Sequence, residues 1–189
     1  GDGVGLFDAV VVAQARLVAQ WMGAGFVHGV MNTDNVALSG ETIDYGPCAF
    51  MDAYAPGTVF SSIDRQGRYA YANQPLILGW NMARLAGCLW PWFDANEDRA
   101  VDLANERVGA IAGIYRAEFL AVMARKLGLS VPDAALVDDL LALLPGVDWA
   151  GFFGRLCEGA DVVALFDDRA GIAAWLARWQ TLGPDHAAM

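Results

Sequence analysis

Apolar residues recur at helical spacing along most of this 189-residue chain, and one stretch in its N-terminal third breaks that spacing. The first apolar stripe stops at Gly23 and Gly25, and glycines are typical of a helix end. Its members are Phe7, Val10, Val11, Leu17, Val18, Trp21 and Met22. Residues three, four or seven apart share one face of an α-helix, so the pattern predicts a buried first helix.

The helical spacing returns after Pro75 and continues almost to the C-terminus. The stripes comprise Leu78, Met82, Leu85 and Leu89; Val101, Ala104, Val108, Ile111, Tyr115, either Glu118 or Phe119, and Val122; Leu136, Val137, Leu140, Leu141 and Leu144; and Ile172, Trp175, Leu176 and Trp179. We expect Ser130 to cap the third of these helices and Asp148 to cap a short helix before the last. The sequence thus predicts a mainly α fold in one domain over residues 1–189, in which residues 76–189 form a helical subdomain.

Residues 26–52 lack helical spacing. Short apolar stretches there are divided by Asn32-Thr33-Asp34-Asn35 and by Ser39-Gly40. This order predicts a loop, a strand, a tight turn and a second strand, which together form a small β-hairpin that leads into Asp44. Residues 1–75 therefore hold a candidate catalytic loop, a candidate metal-binding turn and a further ordered loop.

Charge and cysteine spacing restrict the class of protein. With 22 acidic and 12 basic residues, the formal charge of −10 argues against a protein that follows a nucleic-acid backbone. Charged or polar residues interrupt each apolar run before the roughly 20 residues that a membrane helix needs, so no membrane partner is expected. Cys48, Cys88 and Cys157 are too far apart for a CxxC motif. We expect reduced thiols and a cytoplasmic location.

Two side chains in the non-helical stretch, Asn35 and Asp44, have the chemistry of magnesium ligands. Mg²⁺ takes oxygen ligands and bridges the phosphates of a nucleotide. In protein-kinase-like folds, an Asn ends the catalytic loop that follows a helix, and an Asp opens the next turn. Asn35 and Asp44 occur in that order, so they are predicted to bind the metal and the nucleotide. Taken alone, Asp44 before Tyr45-Gly46 is also typical of an ordinary turn.

The candidate catalytic loop departs from the kinase pattern at the position of the base. His28 precedes Asn35 by seven residues, as in a kinase, but Val30 stands where a kinase has its catalytic Asp. Asp34 is the nearest carboxylate that can polarise an attacking hydroxyl, so it is the candidate catalytic base, with a capping role in the loop as the alternative. His28 is expected to orient the loop through hydrogen bonds.

Four motifs carry a resemblance to a known family. They are Gly-Phe-Val-His-Gly-Val-Met-Asn-Thr-Asp-Asn at 25–35, Thr-Ile-Asp-Tyr-Gly-Pro at 42–47, Gly-Arg-Tyr at 67–69 and Asn-Gln-Pro at 73–75. In this order they resemble the selenoprotein O (SelO, also called YdiU) family. The similarity is looser in the later helices, and the family's C-terminal Cys or selenocysteine motif has no counterpart in this sequence.

The resemblance implies a protein-kinase-like fold and a protein adenylyltransferase, which transfers AMP from ATP to hydroxyl side chains of proteins. It implies that Asn35 and Asp44 bind Mg²⁺, or Mn²⁺, on ATP and that Asp34 is the catalytic base. The expected partners are ATP and protein substrates. A kinase-like phosphotransferase with the same metal ligands and a non-catalytic pseudokinase interaction module are the alternatives.

The sequence lacks the expected parts of a kinase-like N-terminal lobe. Such a lobe carries a Gly-rich loop and a strand Lys upstream of the catalytic loop. Lys126 is the only lysine and lies downstream of Asp44. Gly1, Gly3 and Gly5 lack the spacing of a phosphate loop and indicate a flexible start. We therefore expect a C-terminal lobe without its N-terminal lobe, inactive as an isolated fragment.

Overall fold

The computed structural model describes residues 2–189, and helices dominate it; Gly1 lies outside the described residues. The α-helices of this part are α1 (Gly3–Ala24), α2 (Gln74–Leu89), α3 (Glu97–Lys126), α4 (Ala134–Leu143), α5 (Trp149–Cys157) and α6 (Arg169–Thr181). The strands β1 (Phe26–Val27) and β2 (Ala49–Phe50) form a small antiparallel sheet. The predicted mainly α fold with a small β element is confirmed.

Helix α1 begins earlier than its apolar stripe and ends where the sequence predicts. The Asp2 carboxylate accepts a hydrogen bond of 2.8 Å from the Gly5 amide and caps the helix. Gly3 and Gly5 are therefore helical, and the expected flexible start is wrong at these two residues. At the other end, Gly25 has a φ of 73°, and a β-carbon there would lie 2.8 Å from the Trp149 ring. A side chain at Gly25 would thus meet both backbone strain and a clash.

By length and composition alone, α1 is long and apolar enough to cross a membrane, contrary to the expectation from the sequence. In the structure, this helix packs mainly on α3 and α2. Its most deeply buried side chains, each at most 1 % exposed, are Phe7, Val11, Ala15, Val18 and Ala19. A helix that is apolar on most of its faces is what the centre of a helical core requires.

The small sheet is not the predicted hairpin. Strands β1 and β2 pair with Phe26 opposite Phe50. Between them, residues 28–48 contain a 3₁₀ turn at Thr33–Asn35 and, within the described chain, no strand. The prediction of a hairpin that leads into Asp44 is therefore wrong, because the strands flank the whole segment.

Residues 36–43 pack on α1 instead of pairing with each other. The Gln14 side chain donates a hydrogen bond to the Ala37 carbonyl. Gly40 lies so near α1 that a β-carbon on it would stand 2.9 Å from the β-carbon of Ala13. Within the segment, the Gly40 amide donates to the Ala37 carbonyl at 3.0 Å and closes a tight turn, and packing on α1 takes the place of strand pairing.

Aspartates cap the last three α-helices of the described chain. Asp148 accepts a hydrogen bond of 2.9 Å from the Gly151 amide and caps α5, as predicted. The predicted Ser130 cap of α4 is wrong, because Asp133 accepts the hydrogen bond of 2.8 Å from Leu136. A carboxylate caps as well as a hydroxyl and also complements the positive end of the helix dipole.

A cluster of aromatic rings fixes the end of α1, from which the candidate site begins. Trp149 is 1 % exposed, stacks on Tyr54 at 5.2 Å between ring centroids, and donates to the Gly23 carbonyl at 3.2 Å. The Tyr71 hydroxyl donates to the Met22 carbonyl at 2.6 Å. Burial raises the pKa of Tyr71, which keeps the hydroxyl protonated and able to donate.

Candidate functional site

His28, directly after β1, links the two halves of the candidate site. Its side chain is fully buried. Nε2 donates to the Ile43 carbonyl at 2.8 Å, and Nδ1 accepts a longer contact of 3.4 Å from the Val30 amide. Both contacts fit the tautomer that carries its proton on Nε2. His28 thereby holds the residue before Asp44 against the loop that leads to Asn35, which is the orienting role expected of it.

Two further side chains hold His28 in place. Trp21 lies 5.3 Å from the imidazole between ring centroids and donates to the Thr42 hydroxyl at 2.9 Å. Gln74 is fully buried, accepts a hydrogen bond of 3.0 Å from the His28 amide, and donates to the Phe26 carbonyl at 2.9 Å. The backbone that leads into the histidine is therefore fixed.

Asn81 supports the same loop from the middle of α2. It is 3 % exposed, and its Nδ2 donates to the Met31 carbonyl at 3.1 Å. The motifs and spacings in the sequence did not predict a supporting role for Gln74 or Asn81. Both lie in the register of Leu78 and Met82, and a polar residue at a core position of a helical stripe is the signal that marks them. Such a residue must bond to another buried polar group.

Asp34 and Asn35 lie in the 3₁₀ turn. Asn35 is half-buried, and its Nδ2 donates to the Val30 carbonyl at 3.0 Å. With that nitrogen engaged, Oδ1 is the atom of Asn35 left for a cation. Asp34 is exposed, and its carboxylate accepts no hydrogen bond from residues 2–189. The alternative of a capping role for Asp34 is therefore without a supporting contact in this part of the chain.

Asp44 is exposed and has a φ of 55°, which makes it the one non-glycine residue with positive φ in the described range 2–189. A left-handed backbone costs most residues about 1–2 kcal/mol, and Asp tolerates it better than most. The Gly46 amide donates to the Asp44 carbonyl at 2.8 Å and closes a tight turn. Strain that a buried network maintains at an exposed residue is common at functional sites.

The donor atoms of Asn35 and Asp44 suit a magnesium ion that arrives with a nucleotide. Mg²⁺ is commonly held by one or two protein oxygens, with water and phosphate oxygens as the other ligands. No group of three or more His, Cys, Asp or Glu side chains within residues 2–189 is placed to hold a metal by itself. An amide oxygen and a carboxylate therefore fit a shared metal–phosphate site better than a closed protein site.

Comparison with known proteins identifies the family. The family model described as protein adenylyltransferase SelO matches residues 3–188. The "Protein nucleotidyltransferase YdiU" of Mycolicibacterium paratuberculosis is 55% identical, over 97% of this chain and 41% of that protein. The protein of the same name from Cereibacter sphaeroides strain KD131 is 53% identical, over 96% of this chain and 40% of its own length. The chain spans about two-fifths of the length of these curated relatives. Since the family model matches nearly every residue, the chain belongs to the SelO family.

Proposed function

We propose that the chain is the helical C-terminal lobe of a protein-kinase-like adenylyltransferase, which transfers AMP from Mg-ATP to hydroxyl side chains of proteins. The family and the names of the relatives support nucleotidyl transfer. The observation that carries the proposal is the buried His28 link. Through Val30 and Ile43, it ties the turn of Asn35 to the turn of Asp44.

Asn35 and Asp44 are the proposed ligands of Mg²⁺, or of Mn²⁺, through Oδ1 and the carboxylate. When bound, the ion supplies positive charge against the phosphate oxygens. The Asn35 side chain donates to the Val30 carbonyl, and His28 holds the carbonyl of Ile43, the residue before Asp44. Little ordering is then needed when ATP binds, which favours a precise position for its phosphates.

Asp34 is the proposed acceptor of the substrate's hydroxyl proton. The hydroxyl oxygen forms a bond to the α-phosphorus of ATP while the bond from that phosphorus to the oxygen shared with the β-phosphate breaks. Pyrophosphate leaves with the electron pair, and the hydroxyl proton passes to Asp34. An exposed carboxylate without a protein partner is available for this transfer, whereas Val30, at the position of the kinase base, cannot accept a proton.

We further propose that activity needs more polypeptide than these 189 residues. The chain matches 41% of the length of its mycobacterial relative. Lys126, the only lysine, has its Nζ 4.0 Å from the centre of the Phe153 ring and 5.6 Å from that of Trp149. A lysine engaged with two aromatic rings is not placed to hold a phosphate, so the proposed phosphate-binding lysine lies outside this chain.

Label transfer by the full-length protein tests the proposed reaction. We expect label from the α-phosphate of ATP, and none from the γ-phosphate, on the protein substrate, with the mass increase of AMP. Asp44→Ala is expected to lower transfer by about 100-fold or more. Asp52→Ala, at an exposed aspartate of the same segment, is the matched control and should retain transfer.

The other results identify the alternatives. Transfer of the γ-phosphate label would establish a phosphotransferase and contradict AMP transfer. Magnesium-dependent ATP binding that survives Asp44→Ala, without any transfer, would indicate a non-catalytic interaction module.

A further inference from the structure

A groove lies beside the 3₁₀ turn that carries the candidate base and metal ligand. Its volume is about 320 Å³, and its lining is mainly apolar. We call it the α2 groove, and the lining residues that matter below are Thr33, Val36, Trp80, Asn81, Arg84 and Cys88. Thr33 and Val36 flank Asp34 and Asn35 directly in the sequence. This volume is at the lower end for ligand clefts and suits one or two amino-acid side chains.

Asn81 leaves an acceptor without a partner in the wall of the α2 groove. Its Nδ2 donates to the Met31 carbonyl, whereas its buried Oδ1 meets no hydrogen-bond donor in the part of the chain that the structure describes. That oxygen has almost no accessible surface, so a ligand in the groove does not reach it. Asn81 therefore shapes the wall of the α2 groove and supports the loop beside Asp34, without itself binding a ligand.

Two arginines flank the Trp80 ring at the groove. The guanidinium carbons of Arg68 and Arg84 lie 4.9 Å and 5.6 Å from the ring centre, and both side chains are exposed. Stacking on a ring leaves the N–H edge of a guanidinium available to an anion. Neither arginine forms an ion pair with a carboxylate of residues 2–189, although the chain has a net charge of −10. Such ion pairs do form at Arg16, Arg99, Arg107, Arg116 and Arg178.

We propose that the α2 groove binds an extended segment of the protein substrate that combines an apolar side chain with a neighbouring acidic one. The apolar side chain lies in the groove, and the carboxylate meets Arg68 and Arg84. This inference rests on the proposed function, because a substrate held here presents its hydroxyl next to Asp34. Because the protein is acidic overall, the positive charges of Arg68 and Arg84 at this groove favour an acidic partner there.

Cys88 provides a direct probe, since its exposed thiol lines the α2 groove. In the full-length protein, N-ethylmaleimide should alkylate Cys88, as read by mass spectrometry of its peptides. A near-saturating peptide with Leu between two Glu residues should slow that reaction about fivefold, and the same peptide with Lys for Glu should not. Cys48 and Cys157, which are less exposed, are internal references.

Three results of the alkylation experiment would overturn the proposal. The acidic peptide leaves the Cys88 rate unchanged; ATP protects Cys88 and the peptide does not; or Cys88 is unreactive without any ligand, because the full-length chain itself covers the groove. In the converse direction, alkylated protein should bind the acidic peptide less tightly, and Cys88→Ala should be insensitive to the reagent.

Reversing the charge of Arg84 distinguishes the effect of the two arginines beside the groove from the effect of the protein's net charge on peptide binding. Binding is measured by fluorescence anisotropy with a peptide whose hydroxyl residues are replaced by Ala, so no transfer is involved. Arg84→Glu should weaken the acidic peptide about fivefold and favour its Lys counterpart. Arg84→Gln should give a smaller change in the same direction, which keeps the test valid if the Glu variant does not fold.

Arg169→Glu is the matched control. It makes the same change of charge at an exposed residue in the first turn of α6, which packs on α4 rather than on α2. Equal weakening by Arg84→Glu and Arg169→Glu would show an effect of net charge and contradict the proposal. Intact peptide binding without AMP transfer would contradict only the proposed function, and intact transfer without peptide selectivity would contradict only this inference.

Discussion

His28 is buried with both ring nitrogens in contact with the backbone, whereas Asp44, next to one of those contacts, is exposed and in a left-handed conformation. At the scale of single residues, the motif in the sequence marks both positions as important. It does not reveal the backbone of Asp44, because that conformation depends on Ile43, which the histidine holds from fifteen residues away. The supporting amides of Gln74 and Asn81 were missed for the same reason, since their partners are distant in sequence.

The change His28→Phe should separate support from chemistry. Phe fills the space between Trp21 and Phe26 but leaves the Ile43 carbonyl without a donor. We expect the free energy of unfolding to fall by about 1–3 kcal/mol and magnesium-dependent ATP affinity to fall about tenfold. Denaturant unfolding and titration calorimetry of the full-length protein measure the two effects. An unchanged ATP affinity would mean that His28 does not position Asp44.

Substitutions at Asp44 should act differently on stability and on metal binding. Gly adopts positive φ without strain, so Asp44→Gly should stay within about 1 kcal/mol of the wild-type free energy of unfolding. Asp44→Ala should be less stable than Asp44→Gly by about 1 kcal/mol, because Ala resists this conformation. Both variants lack the carboxylate and should lose magnesium-dependent ATP binding. If calorimetry shows normal binding in either one, Asp44 is not a metal ligand.

At the scale of elements, helical periodicity predicts the helices, whose buried faces depend on neighbouring residues of the same chain segment, but not the segments whose structure depends on distant partners. The stripes on α1 and α2 were sufficient, because each side chain needs only its own helix to define a buried face. On α3, Ile111 and Phe119 of the predicted stripe are buried, but Val101 is exposed, because no other element covers that end of the stripe as completely. The hairpin failed because residues 36–43 find their partners on α1. Short segments of this kind take their structure from the surface on which they pack, and a repeat of two residues cannot show which surface that is.

The contact between α1 and α3 depends on the absence of a side chain at Gly23. A β-carbon there would lie 2.4 Å from Cγ1 of Val122. Gly23→Ala should therefore destabilise the protein by about 1–3 kcal/mol, and a second change, Val122→Ala, should recover part of the loss. Gly113→Ala, where nothing lies within 4 Å, is the control and should stabilise α3 by about 0.5–1 kcal/mol. Thermal unfolding of the wild type, the two single variants and the double variant completes the cycle. Simple additivity of Gly23→Ala and Val122→Ala would contradict the close contact.

The last turn of α3 should make stability depend on pH. Burial lowers the pKa of Lys126 to about 8 from its ordinary 10.5. Between these values, the unfolded chain binds more protons than the folded one, so the free energy of unfolding rises with pH. Burial raises the pKa of Tyr71 and of Tyr115, so their opposite effect begins only near pH 10, where unfolded tyrosines ionise.

Lys126→Met should therefore be more stable than wild type at pH 7, by about 1 kcal/mol in the free energy of unfolding after allowance for the favourable contact of Lys126 with the Phe153 ring. Between pH 8 and 10, the free energy of unfolding of Lys126→Met should rise less than that of wild type, because the contribution of Lys126 is absent. Denaturant unfolding of both proteins at pH 7, 8, 9 and 10 measures it. Parallel curves would show that Lys126 is not desolvated.

At the scale of the whole molecule, the described residues offer two proposed metal ligands and a proposed base but no free lysine for a phosphate. Large apolar side chains beside these groups are also uncovered, with Tyr45 66% and Phe50 65% exposed. Uncovered apolar surface of this kind commonly meets another part of a protein. The motifs in the sequence predicted the SelO family, and the family model confirms it.

The 189-residue chain by itself should bind ATP at least about tenfold more weakly than the full-length protein and should transfer no detectable AMP, because the missing phosphate contacts are not replaced by water. The α-phosphate label assay measures transfer, and the full-length Asp44→Ala variant defines its background level. Robust turnover by the chain alone would contradict the requirement for further polypeptide.

Far-ultraviolet circular dichroism and cooperative unfolding of the same sample provide the control, because helices α1 to α6 enclose a common core. Inactivity with that core intact would show that part of the site is missing, whereas inactivity with a lost core would show only that the chain had not folded.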